Sequence, residues 1–138
     1  MAAWTCPDCG RRFARRNQGH ECAPAMALEE YLASGPPFER PIFEALMAGI
    51  DHLGPIHVEP ESVGIFLKRA QTFAQLRPLT RWETLSFSLA REATHPAITR
   101  KVIPHGQRFH HVLRLNDASD IDDSVIALVA EAYDLTPE

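Results

Sequence analysis

The chain has 138 residues, of which 45% are hydrophobic, enough to bury one core with a small satellite and too few for a two-domain enzyme. Fourteen Lys and Arg against 18 Asp and Glu give a net charge of -4, which disfavours wrapping of nucleic acid or anionic membrane by the whole surface. No apolar stretch approaches the roughly 20 residues of a bilayer span, and Met1-Ala2-Ala3-Trp4 carries no signal pattern, so a cytoplasmic protein without membrane contact is expected.

The charge is unevenly spread. Residues 1–24 hold four Arg against Asp8 and Glu21, whereas residues 115–138 hold seven acidic residues and no basic one. The basic head also contains every cysteine, in the pattern Cys6-x2-Cys9-x10-His20-x-Cys22. A Cys-x2-Cys turn brings two thiolates together on one metal ion, and residues two apart in an extended segment share a face and can close a tetrahedron from the other side. The expected group is one structural Zn(2+) held by Cys6, Cys9, His20 and Cys22. Gly10 lets the chain leave the turn in a left-handed conformation, and Phe13 with Trp4 supplies the apolar filling. His20 is the ligand the spacing supports least. A disulfide or redox pair is the competing reading, but three cysteines cannot all pair and no strand precedes the motif. Four protein ligands leave no open position for water, and the zinc-deaminase signature would need a different order of Cys, His and Glu.

Arg11, Arg12, Arg15 and Arg16 lie between the two ligand pairs. On a helix they would line one side as a phosphate- or partner-binding patch; the plainer reading is a solvated surface.

A boundary near residue 24 separates this knuckle (1–24) from a body (25–138). Met26 to Ala33 reads as a short helix stopped by Ser34-Gly35-Pro36-Pro37, and a second helix from Pro41 buries Phe43, Leu46, Met47, Ile50 and Leu53. Period-two alternation follows at Val63, Ile65 and Leu67, at Leu85, Phe87 and Leu89, and at Phe109, His111, Leu113 and Leu115, with weaker strands over 73–77 and 99–103. Asp120, Asp122 and Asp123 mark the start of a last helix with Ile121, Val125, Leu128, Val129 and Ala132 on its apolar face. The fold class is therefore α+β: an antiparallel sheet of about five strands with helices on one face, preceded by a zinc-binding knuckle.

His110 and His111, adjacent on a strand, face opposite sides, with His111 inward. His57, His105, His110 and Arg114 are the residues available to a ligand pocket. The sequence contains no nucleophile elbow, Gly-rich phosphate loop or His-Glu-x-x-His, and no catalytic residue is assigned.

The head Trp4-Thr5-Cys6-Pro7-Asp8-Cys9-Gly10-Arg11-Arg12-Phe13 and Asn17-Gln18-Gly19-His20-Glu21-Cys22, followed by Leu53-Gly54-Pro55, Phe73-Ala74 and Asp120-Ile121-Asp122-Asp123, resembles the bacterial domain-of-unknown-function family 5655. The resemblance implies a body from about residue 30 to 135 behind a zinc head, in accessory modules some of which are joined to nuclease-like domains. The order of elements is also similar to small frataxin-like proteins, although Glu44 and Asp51 alone on the second helix make a poor iron ridge.

The expected function is a non-enzymatic zinc-containing module engaging nucleic acid or a protein partner through the basic patch. The alternative is a small-molecule or anionic-ligand protein, enzymatic or not, using the sheet pocket. A third reading is a scaffold that oligomerises through an edge strand.

Overall fold

The computed structural model describes residues 3–20 and 27–138. Two short strands, β1 (Trp4–Thr5) and β2 (Arg12–Phe13), pair antiparallel with Trp4 opposite Phe13. Next come α1 (Leu28–Ser34) and α2 (Glu39–Ile50), which runs on into a 3-10 turn over Asp51–Leu53. The first helix expected from Met26 thus starts later, and Met26 itself lies outside the described residues. The second starts earlier than Pro41: the first amides of a helix have no intrahelical partner, so a proline in the first turn costs no hydrogen bond.

The sheet is antiparallel and has six strands, in the order β3-β4-β5-β6-β8-β7. They are β3 (His57–Glu61), β4 (Gly64–Lys68), β5 (Thr72–Pro78), β6 (Glu83–Leu89), β7 (Ile103–His105) and β8 (Arg108–Leu115). α3 (Asp123–Leu135) ends the chain's regular structure, capped by the Asp122 side chain, which accepts a hydrogen bond from the Val125 N–H at 2.8 Å. Sequential strands pair from β3 to β6, but β8 then enters between β6 and β7. The weak strand expected over 99–103 is not formed; Ile98 bridges to Leu113 and the paired segment begins only at Ile103. Val63, expected to face inward, belongs to the turn before β4 and is 48% exposed. The frataxin-like order of one helix, five strands and a helix also gives way, here to two helices, six strands and a helix in the body.

Residues directly opposite each other in a ladder share a face. Ile65, Leu76, Leu85 and Leu113 therefore form one inward row across four strands, and all are fully buried. α2 and α3 cover this face with Ile42, Leu46, Val125 and Val129, also fully buried. Each such side chain contributes about 2 kcal/mol relative to exposure. The opposite face carries the alternate residues, among them the row Arg77, Thr84 and Arg114. The two edge strands each contain a proline, Pro60 in β3 and Pro104 in β7.

Candidate metal centre and cationic sheet face

The Cys-x2-Cys segment forms the turn that joins β1 to β2. Its ends are tied by hydrogen bonds from the Cys6 N–H to the Arg11 carbonyl and from the Gly10 N–H to the Cys6 carbonyl, both 2.8 Å. Gly10 has φ 77°, the left-handed conformation the sequence calls for. Cys6 and Cys9 are buried, and with His20 they bring two sulfurs and a ring nitrogen within 4.8 Å of one another. Nδ1 of His20 lies 2.7 Å from the Gln18 carbonyl and takes the proton there, which turns Nε2 toward the Cys9 sulfur at 3.4 Å. A backbone carbonyl that fixes the tautomer of a ligating imidazole is a usual support for metal. The Phe13 ring packs 4.2 Å from the His20 ring, with Trp4 beyond it, as the apolar filling was expected to do. Three donors of this kind can hold a metal ion. Cys22, the expected fourth, lies outside the described residues.

The knuckle does not project from the body; it docks on the sheet face opposite the helices. Arg11 forms a two-pronged pair with Glu61, at 2.8 and 3.1 Å. The Arg12 N–H donates to Glu59 at 3.3 Å, Lys68 pairs with the same carboxyl at 2.7 Å, and the Lys68 ammonium sits over the Phe13 ring. Burial by itself would raise the Glu59 pKa. Hydrogen bonds from His57 and Lys68, the Lys68 charge and the Arg12 amide outweigh it and hold the carboxyl down to about 2.

This docking alters the expected arginine patch. The segment is not helical: Arg12 lies in β2, and Arg11 is turned into the interface with the body. Arg15 and Arg16 remain exposed. A strand and a turn cannot align four arginines as a helix would, so the patch divides into a docking half and a solvent half.

Nor do the four residues expected at a pocket meet in one place. His57 is on the edge strand β3, within 3.5 Å of Glu59, and His105 is on β7 at the other edge. Arg114 stacks on Trp82, 3.8 Å from its ring. His110 borders a cavity of about 350 Å³ where β5 and β6 part, and Arg114 borders a separate one of about 440 Å³ beside Asp120 and Asp122. His111 is fully buried, as its parity required, and accepts from the Ala93 N–H at 2.9 Å.

What these residues do share is the outer sheet face. Across β5, β6, β8 and β7 that face presents Arg77, Arg108, Arg114, His105 and His110 among Ser, Thr and Gln with Val112 and Ile103, and its strand residues include no carboxylate. The one carboxylate within these strands, Glu83, points the other way.

Glu83 and Glu39 are the functional-looking groups that sequence reasoning passed over. Both are fully buried, and among the described residues no hydrogen bond of ordinary geometry reaches any of their four carboxyl oxygens. Burial and the neighbouring Glu39 carboxyl push the Glu83 pKa well up, since two ionised carboxylates cannot share a dry site. A proton held by Glu83 makes it a donor to Glu39. The phenol of Tyr31 belongs to the same group, its pKa raised by burial and by Glu39. The signal was present: Glu83 has the parity of Leu85, Phe87 and Leu89, and Glu39 precedes Ile42 and Phe43 by one helical turn.

A family model described as Domain of unknown function (DUF5655) matches residues 28–136. The chain belongs to this family. The DUF5655 match spans the helices and the six-stranded sheet and leaves the described knuckle residues outside it. No curated protein and no solved structure matches the chain. Among the described residues no helix is long and apolar enough to cross a membrane.

Proposed function

We propose that this protein is a non-catalytic binding module that lays a single-stranded nucleic acid across the outer face of β5, β6, β8 and β7, with a zinc-loaded knuckle as its side wall. The observation that carries the reading is the segregation of charge. A chain of net charge -4 keeps five Arg and His side chains, and no carboxylate among the strand residues, on the outer face of β5, β6, β8 and β7, while the outward Glu59 and Glu61 of β3 are taken up by Lys68 and the knuckle. Segregation of this kind makes a local positive field that the total charge conceals. A flat sheet with guanidinium planes suits an unpaired strand, whose bases lie on planar groups while its phosphates meet the cations. Double-stranded nucleic acid is favoured less, because among the described residues no helix stands on this face to enter a groove.

Zinc is the metal that fits the donor set. Two sulfurs and a backbone-braced imidazole favour a tetrahedral ion without redox chemistry, and Cys22 is the fourth ligand in this proposal. Bound there, the ion closes a module too small to hold its own core and keeps Arg12 and Arg15 beside the sheet. A protein partner on the same face is an outcome of the test.

The decisive experiment is fluorescence anisotropy of a labelled mixed-sequence single strand across a salt series, with the intact protein and with the Arg77→Ala, Arg108→Ala and Arg114→Ala variant. Binding should weaken with salt, and the log–log slope should fall by about 0.7 for each phosphate contact removed. Affinity independent of salt, or unchanged in the triple variant, would defeat the reading. Metal analysis of the intact protein and of Cys9→Ser tests the zinc: one equivalent is expected in the first and none in the second.

A further inference from the structure

We propose that the gap between β5 and β6 is a binding pocket for a phosphate monoester, the group carried by a free mononucleotide and by the 5′-phosphorylated end of a nucleic acid. The polymer reading above says which face is used; this inference concerns one built cavity within that face and rests on it for Arg108 and His110, while the gap itself comes from the strand geometry.

The gap follows from a local irregularity. β5 pairs with β4 as Leu67–Ala74 and then Lys68–Thr72, so Phe73 is an extra residue on β5. Such a bulge bends the strand that carries it. The β5–β6 ladder accordingly stops at Gln75–Ser86, whereas β6 and β8 remain paired as far as Leu89–Phe109. Between the separated strands lies a cavity of about 350 Å³, at the lower end of the size range of small-molecule sites. Its floor is apolar, formed by the buried Phe73 and Phe87, the former held edge-on against Tyr133. Its rim is polar. Arg108, His110 and Ser88 stand on one side and Gln71, Thr72 and Gln75 on the other.

The chemistry of that rim selects an anion. Among the described residues no carboxylate lines the cavity, and the exposed Arg108 is its only charged side chain. Ser88 and His110 are opposite each other on β6 and β8, with Oγ and Nδ1 3.5 Å apart, so both can turn to one guest. Partial desolvation between the strands, and then the neighbouring His111 and His105, hold the His110 pKa below its usual value. The ring thus enters as a neutral hydrogen-bonding group, and Arg108 supplies the charge. A guanidinium with hydroxyl, amide and imidazole groups around it matches the several acceptor oxygens of a phosphate monoester.

The cavity also has a way out of the right kind. Gln71 and Thr72 line a second groove of about 480 Å³, bordered by Arg12, Arg15 and Lys68, which leads to the knuckle. A chain attached to the bound phosphate can continue along that track, whose described lining residues include no acidic side chain.

The test compares three probes on the zinc-loaded full chain: an oligothymidylate with a 5′-phosphate, the same oligomer with a 5′-hydroxyl, and thymidine monophosphate alone. The 5′-phosphate should tighten oligomer binding by about tenfold, as expected of a charge-assisted phosphate contact. This ratio should fall to one in the Arg108→Ala and His110→Ala double variant and in Ser88→Phe, which fills the gap without removing a charge. Both changes are at exposed positions, so folding can be checked separately by thermal unfolding. Equal affinity of the two oligomers for the intact protein would overturn the pocket while leaving the sheet-face reading in place. Monophosphate binding without oligomer binding would support the pocket and overturn the sheet-face reading. Absence of all binding would end both.

Discussion

Glu39, the first residue of α2, and Glu83, the first of β6, face each other in the sealed interior between helix and sheet, both fully buried. One of the two must hold a proton at neutral pH, and the burial that raises the Glu83 pKa makes it the holder. A carboxyl whose pKa is raised on folding takes up protons as the chain folds. Its contribution is complete below the unfolded pKa near 4.5 and is lost as pH rises toward the folded value.

Glu83→Gln should therefore match the native chain in stability near pH 4 and exceed it progressively above that. The gap should widen by about 1.4 kcal/mol per pH unit while the native carboxyl stays protonated. Urea unfolding at pH 4, 6 and 8 measures it; a gap that does not grow with pH would show that Glu83 is ionised in the folded protein.

Glu59 predicts the opposite sign. Its carboxyl is held down to about 2 by His57, Lys68 and the Arg12 amide against the cost of burial, so it stabilises the fold above the unfolded pKa and loses that effect as pH falls toward 2. Glu59→Gln should cost up to about 3 kcal/mol at pH 7 and progressively less below pH 4. Constant destabilisation over that range would assign the effect to packing instead of charge.

The knuckle is held to the body by Arg11 and Glu61, at 15% and 25% side-chain exposure. A double-mutant cycle with Arg11→Ala and Glu61→Ala, read by thermal unfolding of the metal-loaded protein, should give a coupling of about 1 kcal/mol, the upper end for a partly screened two-pronged pair. Additive losses would mean that the Arg12–Glu59 and Phe13–Lys68 contacts keep the knuckle docked without this pair.

Gly64 opens β4 with φ 156°, and a Cβ placed on it would stand 2.1 Å from the Leu76 carbonyl oxygen. Backbone cannot yield as a flexible side-chain end can. Gly64→Ala should destabilise the sheet by about 2–4 kcal/mol, measured as a fall in the urea midpoint; an unchanged midpoint would contradict the close approach.

The elements with a long, regular hydrophobic period were legible in the sequence. α2, α3, β6 and β8 all carry three or more inward residues at the right spacing, and His111 was placed correctly by parity alone. β3 was not legible, because His57-Val58-Glu59-Pro60-Glu61 owes its burial partly to the knuckle above it and shows no apolar alternation of its own. The cluster of Cys6, Cys9 and His20, which could hold a metal ion, was legible from spacing because these residues lie close in the chain. The fate of Arg11 could not, since its partner Glu61 is 50 residues away. The β5–β6 cavity depends on a single bulge residue, Phe73, which reads in the sequence as one more apolar position.

The prolines of the outermost strands bear on how the protein behaves at high concentration. A foreign strand laid along β3 or β7 would find Pro60 or Pro104 where an amide hydrogen is needed, and β7 offers only the three residues Ile103–His105. Both margins are thus poor templates for adding further strands. The sheet limits its own growth, and a domain that exposes Ile103 at 52% is protected from seeding cross-β fibres by the chemistry of its borders.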